Sequence, residues 1–183
     1  MTKKEARDFY LKKRQALSDA ELEELNFRIQ KNVLYSDYFA SAETIHIYLS
    51  IERVHEPDTW RFLSERKRFV TPRINEYHTL DHFYYEGFHQ LKKNQFGILE
   101  PVEGVAATAD ELDLVLVPLA AYDVEGNRVG YGKGFYDRFL KDCRPDCIKA
   151  GLSFFEPAEK FSDVEEHDVP LDICFTPERV YKF

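Results

Sequence analysis

"LDLVLVP", residues 112–118, is a near-continuous apolar run closed by a proline. A strand with one wet face alternates apolar and polar residues, whereas a strand covered on both faces reads as an unbroken apolar run. The stretch therefore predicts a strand buried on both sides of a parallel sheet, with Pro118 at its end. Outward from it, "TIHIYL" (44–49) is short and β-branched, and "RFVTPRI" (68–74) and "LDHFYYEGF" (80–88) read as further strands. "CIKAGLSF" (147–154) reads as another buried strand, and "DICFTPERVY" (172–181) as a last short strand and tail. Apolar positions recur at helical spacing over 3–17 and 21–34, with Ser18 in "LSDAEL" as the N-cap of the second run. "EPDTWRFLSERK" sets Pro57 near a helix start, and "FYDRFLKDC" reads as a helix. Strands alternating with helices predict the α/β class, a three-layer α/β/α domain with a mostly parallel sheet.

At 183 residues, 44% hydrophobic and 15% aromatic, the chain is long enough for one sizeable core. It has no composition break, repeat or linker, so the expectation is one domain over residues 1–183. The net charge of −8 excludes a general affinity for nucleic acid or anionic membrane, while a local cluster of Lys and Arg can still hold a small anion. Cys143, Cys147 and Cys174 form an odd set without metal-ligand spacing, which reads as reduced, buried thiols and a cytoplasmic setting. The N-terminus has no apolar h-region and no run approaches a membrane span. No obligate protein partner is evident.

"RVGYGKGFYDRFL" (128–140) follows the strand ending at Pro118 and runs into a helix. In open α/β sheets ligands gather at the carboxyl ends of strands. Gly130, Gly132 and Gly134 alternate, which allows positive φ and close approach of backbone to a ligand. Free N–H groups at a helix start together with Lys133 predict a phosphate cradle. It is not a Walker A loop, because Gly134 stands where Ser or Thr would follow the lysine. The dinucleotide fingerprint is not matched either, since the third glycine comes one residue early. Asp137 reads either as a magnesium ligand beside a bound nucleotide or as an acid complementing the helix dipole.

"GNRVGYGKGFYDRFL" (126–140) resembles the signature of the 5-formyltetrahydrofolate cyclo-ligase family, also called 5,10-methenyltetrahydrofolate synthetases. In the family's order, "KKEARDFYLKKRQALS" resembles its opening helix, "YLSIERVHEPDTW" its folate loop, "FGILEP" and "LDLVLVPLAAYD" the segments before the signature, and "EEHDVPLD" its closing acidic motif. The resemblance spans nearly the whole chain. It implies a fold like that of the phosphosugar isomerases and CoA transferases, and ATP- and Mg2+-dependent conversion of 5-formyltetrahydrofolate to 5,10-methenyltetrahydrofolate, ADP and phosphate. Carried onto this chain, it implies that Lys3, Lys4, Arg7 and Arg128, Val129, Gly130, Tyr131, Gly132, Lys133, Gly134, Phe135 and Tyr136 bind ATP. Ile51, Glu56, Phe96, Tyr131, Gly132, Lys133, Gly134 and Phe135 would bind the folate, Glu56 and Lys133 would be catalytic, and Asp137 and Asp168 would hold Mg2+. Three positions depart from the pattern of many relatives: Tyr122, Tyr131 and Pro157. A non-catalytic nucleotide- or folate-binding module and a phosphotransferase acting on another small acid are the competing readings.

Overall fold

A computed structural model describes all 183 residues. The chain opens with two helices, α1 (Lys3–Gln15) and α2 (Asp19–Leu34), and a short α3 (Asp37–Ser41). Thr2 and Ser18 cap the first two through capping boxes with Glu5 and Glu21, which satisfies N–H groups that an uncapped helix start leaves without a partner. Strands β1 (Thr44–His46), β2 (Arg68–Ile74) and β3 (Leu80–Tyr84) follow, then a small arm of β4 (Leu91–Lys93) and β5 (Leu99–Pro101). Strand β6 (Leu114–Val117) precedes a hairpin of β7 (Ala121–Tyr122) and β8 (Arg128–Val129). The last elements are α4 (Phe135–Leu140), β9 (Ile148–Leu152), β10 (Ile173–Phe175) and β11 (Val180–Lys182). No helix is long and apolar enough to cross a membrane.

Seven strands form the main sheet in the order β11-β10-β9-β6-β1-β2-β3. The five inner strands pair in parallel, and the edge strands β3 and β11 are antiparallel. The apolar run at 112–118 explains itself in this setting. Leu114 and Leu116 face a core shared with α2 and α3, while Val115 and Val117 face a second core shared with Phe139 and Leu140 of α4. All four are fully buried, so both faces of β6 are covered, and the α/β class with a mostly parallel sheet holds. The second layer is thin, since α4 has six residues and much of its cover is loop.

Four readings change. The helix expected after Pro57 is a single 3₁₀ turn, Trp60–Phe62. The Thr59 hydroxyl donates to the Tyr48 carbonyl at 2.5 Å, Ser50 and Thr59 exchange side-chain bonds at 3.0 and 3.2 Å, and the Trp60 indole donates to the Ser50 carbonyl at 3.2 Å. Those tertiary bonds hold the segment against the loop before it and override its helical spacing. The stretch 172–181 holds two strands, because Thr176 turns the chain with its N–H bound to the Arg179 carbonyl. The strand expected over 80–88 ends at Tyr84, and the β4–β5 arm lies where no strand was expected.

Gly151, in the middle of β9, shows how closely the sheet is covered. A Cβ there would lie 2.7 Å from both Leu119 Cδ2 and Leu171 Cδ1. Gly151→Ala is expected to destabilise by about 1–3 kcal/mol through overpacking, read as a lower denaturation midpoint with an unchanged slope. An unchanged midpoint would mean that these leucines move aside freely.

Candidate active site

Strands β1 and β6 are parallel neighbours, yet the chain leaves them in opposite directions across the sheet, from β1 to β2 on one side and from β6 to β9 on the other. Segments that diverge at such a point cannot cover the crevice between them. A cleft of about 930 Å³ opens there. Its walls are the segment after β1, containing Ile51 and Glu56, and the glycine loop reached from β6 through the β7–β8 hairpin.

The loop is anchored by a buried aspartate. Asp123 accepts from the N–H groups of Glu125, Asn127 and Phe161, each at 2.9 Å, and from Asn127 Nδ2 at 3.0 Å, which fixes the hairpin turn ahead of Arg128. Beyond Val129 the backbone departs from strand geometry. Gly132 and Gly134 take φ of 87° and 67°, values that favour glycine, whereas Gly130 has no positive φ. The N–H groups of Tyr131, Gly132, Lys133 and Gly134 donate to no protein acceptor, so a row of donors lines the cleft. With only six residues in α4, these loop donors and the nearby cations outweigh any contribution from its dipole.

Lys3 and Arg7 reach the loop from α1. Arg7 Nε donates to the Gly130 carbonyl at 2.8 Å, and its guanidinium lies 3.4 Å from where a Cβ on Gly132 would stand. Lys3 Nζ pairs with Asp168 Oδ2 at 2.6 Å, and Arg128 Nη2 with Asp137 Oδ1 at 2.6 Å. Lys133 is exposed and makes no ion pair. Lys4, by contrast, is exposed and contributes nothing to the cleft wall, because α1 turns it away from Lys3 and Arg7. Every other site residue expected from the sequence lines the cleft: Lys3, Arg7, Ile51, Glu56, Phe96, the whole run from Arg128 to Asp137, and Asp168.

Asp137 and Asp168 meet beside Arg128, with the Val169 N–H donating to Asp137 Oδ1 at 3.4 Å. Burial lowers the Arg128 pKa, and the charges of Asp137 and Asp168 oppose that shift. Burial works to raise the Asp168 carboxyl, but the Glu165 N–H and Lys3 outweigh it and hold it below the usual range. Asp137 Oδ2 and Asp168 Oδ1 have no protein partner. No cluster of three or more metal-ligating side chains is present. Two carboxylates with free oxygens beside an anion cradle fit Mg2+, which keeps water and phosphate oxygens among its ligands. Arg128 Nε and the Tyr136 hydroxyl, both on the cleft wall, are buried without a partner, as expected of groups that await a ligand.

The other half of the cleft is more apolar, lined by Tyr48, Leu49, Ile51, Ile74, Leu80 and Ile98, with Phe96 at an exposed position in the β4–β5 turn. Glu56 is 7% exposed there. Its Oε2 accepts the Ile51 N–H at 2.6 Å and its Oε1 the Tyr131 hydroxyl at 2.6 Å. Burial pushes the carboxyl above its ordinary value, and these two bonds and the charge of Arg14 offset that rise only in part. Tyr131 belongs to the glycine loop, so this hydrogen bond joins the two halves of the cleft. Sequence reasoning missed Arg14, which is 4% exposed and donates to the Tyr131 hydroxyl at 2.6 Å. The signal was present: at 3.6 residues per turn, Lys3, Arg7 and Arg14 fall on one face of α1.

Fold and cleft together define an α/β protein that sets an anion-binding glycine loop against an apolar wall bearing one buried carboxylate. The chain belongs to the 5-formyltetrahydrofolate cyclo-ligase family, whose sequence profile matches residues 1–177. It is similar to the 5-formyltetrahydrofolate cyclo-ligase of Haemophilus influenzae, 42% identical over 84 residues that make up 44% of this chain and 45% of that one. That aligned stretch is thus less than half of the relative's own length. The 5-formyltetrahydrofolate cyclo-ligase of Escherichia coli K12 is 26% identical over 181 residues, covering 93% of this chain and 98% of the relative. Among solved structures, the 5,10-methenyltetrahydrofolate synthetase of Aquifex aeolicus superposes with a TM-score of 0.87 at 30% identity, covering 100% of this chain and 93% of that one.

Beneath the glycine loop, α4 rests on a pair of buried histidines. His46 Nε2 lies 3.2 Å from His82 Nδ1, and Phe139 of α4 packs on both rings at 4.7 and 4.2 Å between centroids. Burial lowers the pKa of both: His46 well below its ordinary value, and His82 to about 4 although Asp81 and Asp142 oppose the shift. The rings stay neutral in the fold, while the unfolded chain takes up protons near the ordinary value of 6.5. Their contribution to stability is therefore present above pH 6.5 and is lost as pH falls toward 4. Urea midpoints should drop between pH 7 and pH 5, and His82→Phe should flatten that drop; equal slopes in the two proteins would remove the pair as its source.

Proposed function

We propose that residues 1–183 form one domain that catalyses the ATP- and Mg2+-dependent closure of 5-formyltetrahydrofolate to 5,10-methenyltetrahydrofolate, with release of ADP and phosphate. The observation that carries this reading is the two-sided cleft. One half offers free loop N–H groups and the cations of Lys3, Arg7, Arg128 and Lys133; the other offers an apolar wall with Glu56. Family membership and the printed names of the relatives support the same reading.

The chemistry accounts for both halves. A formamide carbonyl is a poor electrophile, and loss of its oxygen as hydroxide is unfavourable. Transfer of the γ-phosphoryl group from ATP to the formyl oxygen turns that oxygen into a phosphate leaving group, and N10 of the folate then attacks the formyl carbon. The protein contributes position and charge complementarity, as in other phosphoryl transfers. Lys133, Arg7 and the loop N–H groups hold the triphosphate, and the free lysine is the group able to follow charge onto the transferring phosphoryl. Asp137 and Asp168 would hold Mg2+, which supplies charge neutralisation on phosphate oxygens when bound. Ile51 and Phe96 flank the folate, while Glu56 orients the pterin side or N10 by a hydrogen bond from within the wall.

The deciding experiment mixes protein, 5-formyltetrahydrofolate, ATP and Mg2+ and follows the near-ultraviolet band of the conjugated methenyl bridge, with controls that each omit one component. A rise that needs every component supports the reading. ATP consumption on a non-folate acid, with no band from the folate, would replace it with a phosphotransferase. Lys133→Ala should lower kcat/KM by on the order of a hundredfold with the fold intact, and an unchanged value would remove Lys133 from the mechanism. Asp137→Asn should raise the Mg2+ concentration needed for half-maximal rate; a superimposable titration would count against it as a ligand.

A further inference from the structure

Arg14 is a buried cation without a direct counter-ion. It is 4% exposed, none of its nitrogens pairs with a carboxylate, and its Nε has no partner at all. Nη1 donates to the Leu119 carbonyl at 3.2 Å and Nη2 to the Tyr131 hydroxyl at 2.6 Å. Taking a guanidinium out of water for those two bonds alone is costly, and an apolar side chain of similar size would serve α1 better as a staple. Its charge is met one residue further on, where the Tyr131 hydroxyl donates to Glu56 Oε1 at 2.6 Å.

The direction of this chain of bonds is fixed by the groups in it. A guanidinium can only donate and a carboxylate can only accept, so the hydroxyl receives from Arg14 on a lone pair and gives its one proton to Glu56. Bonds ordered in this way polarise one another. The three residues come from α1, the glycine loop and the segment after β1, which are the elements that build both halves of the cleft. We propose that Arg14 is a positioning residue of the cyclo-ligase site: through Tyr131 it favours the charged form of Glu56 and holds it in register with the glycine loop. This rests on the reading of the cleft given under the proposed function. The titratable groups around Glu56 are Tyr131 and Arg14, which hold it directly and through the hydroxyl, and Tyr48 and Tyr136, whose own ionisation its charge opposes.

The test is the pH dependence of kcat/KM for 5-formyltetrahydrofolate in the methenyl assay, measured for the unaltered protein, Arg14→Gln, Arg14→Lys and Tyr131→Phe. Losing the cation or the hydroxyl removes an influence that lowers the Glu56 pKa, so the acid limb moves to higher pH in Arg14→Gln and Tyr131→Phe. At a fixed pH below neutrality both lose about tenfold or more in kcat/KM. Arg14→Lys keeps the charge and brings the limb back toward its original place, a rescue that a purely structural role would not show. Tyr131→Phe keeps the ring and carries the same expectation if Arg14→Gln does not fold. Acid limbs that coincide in all four proteins, or a limb in Arg14→Lys displaced as far as in Arg14→Gln, overturn the proposal. An unaltered protein that forms no methenyl band removes the cyclo-ligase reading itself, whereas turnover with unmoved limbs removes Arg14 alone.

Discussion

Two parallel strands, β1 and β6, lie side by side and send the chain away in opposite directions, and the rest of the molecule's use follows from that divergence. Backbone groups at the ends of both strands need partners, but no crossover segment can pass over the gap between them. The segments that do leave are held by bonds of their own. Asp123 clamps the β7–β8 turn, and the Thr59 and Ser50 side chains clamp the loop after β1. The crevice thus has firm walls with a gap between them.

Charge is arranged around that gap against the trend of the whole chain. A net charge of −8 disfavours anions in general, yet four cations converge on one loop. Two of them are already paired, Lys3 with Asp168 and Arg128 with Asp137. Such pairs make burial of the cations tolerable and leave each aspartate one oxygen for another ligand. Lys133 stays unpaired and exposed, so its charge remains available to an anion in the cleft. The two halves of the cleft are joined by the Tyr131–Glu56 bond, so the apolar wall and the glycine loop are not independent.

The core serves the cleft as well as stability. The alternation along β6 places leucines on one face and valines on the other, so that the sheet is covered on both sides. On the α4 side the cover includes a neutral histidine pair under Phe139, close to the helix that ends the glycine loop.

Local pattern carried a good part of this into view. The unbroken apolar run at 112–118 required two covered faces, and the spacing of Gly132, Lys133 and Gly134 after a strand required a loop that approaches a ligand closely, because both properties are set by residues adjacent in the chain. The order of motifs placed Glu56, Asp137 and Asp168 in one family frame. The helix expected after Pro57 failed because bonds to residues about ten positions earlier in the chain took its backbone and side chains. Gly130 needed no positive φ, and Lys4 pointed away from its neighbours, since these depend on the path of the backbone and not on composition. Arg14 shows the division most plainly. The sequence determined that it shares a face of α1 with Lys3 and Arg7, but only the tertiary structure decided that a buried cation would find its counter-charge on Glu56, 42 residues away, through the hydroxyl of Tyr131. Contacts between segments far apart in the chain are fixed by packing of the whole, and no local period encodes them.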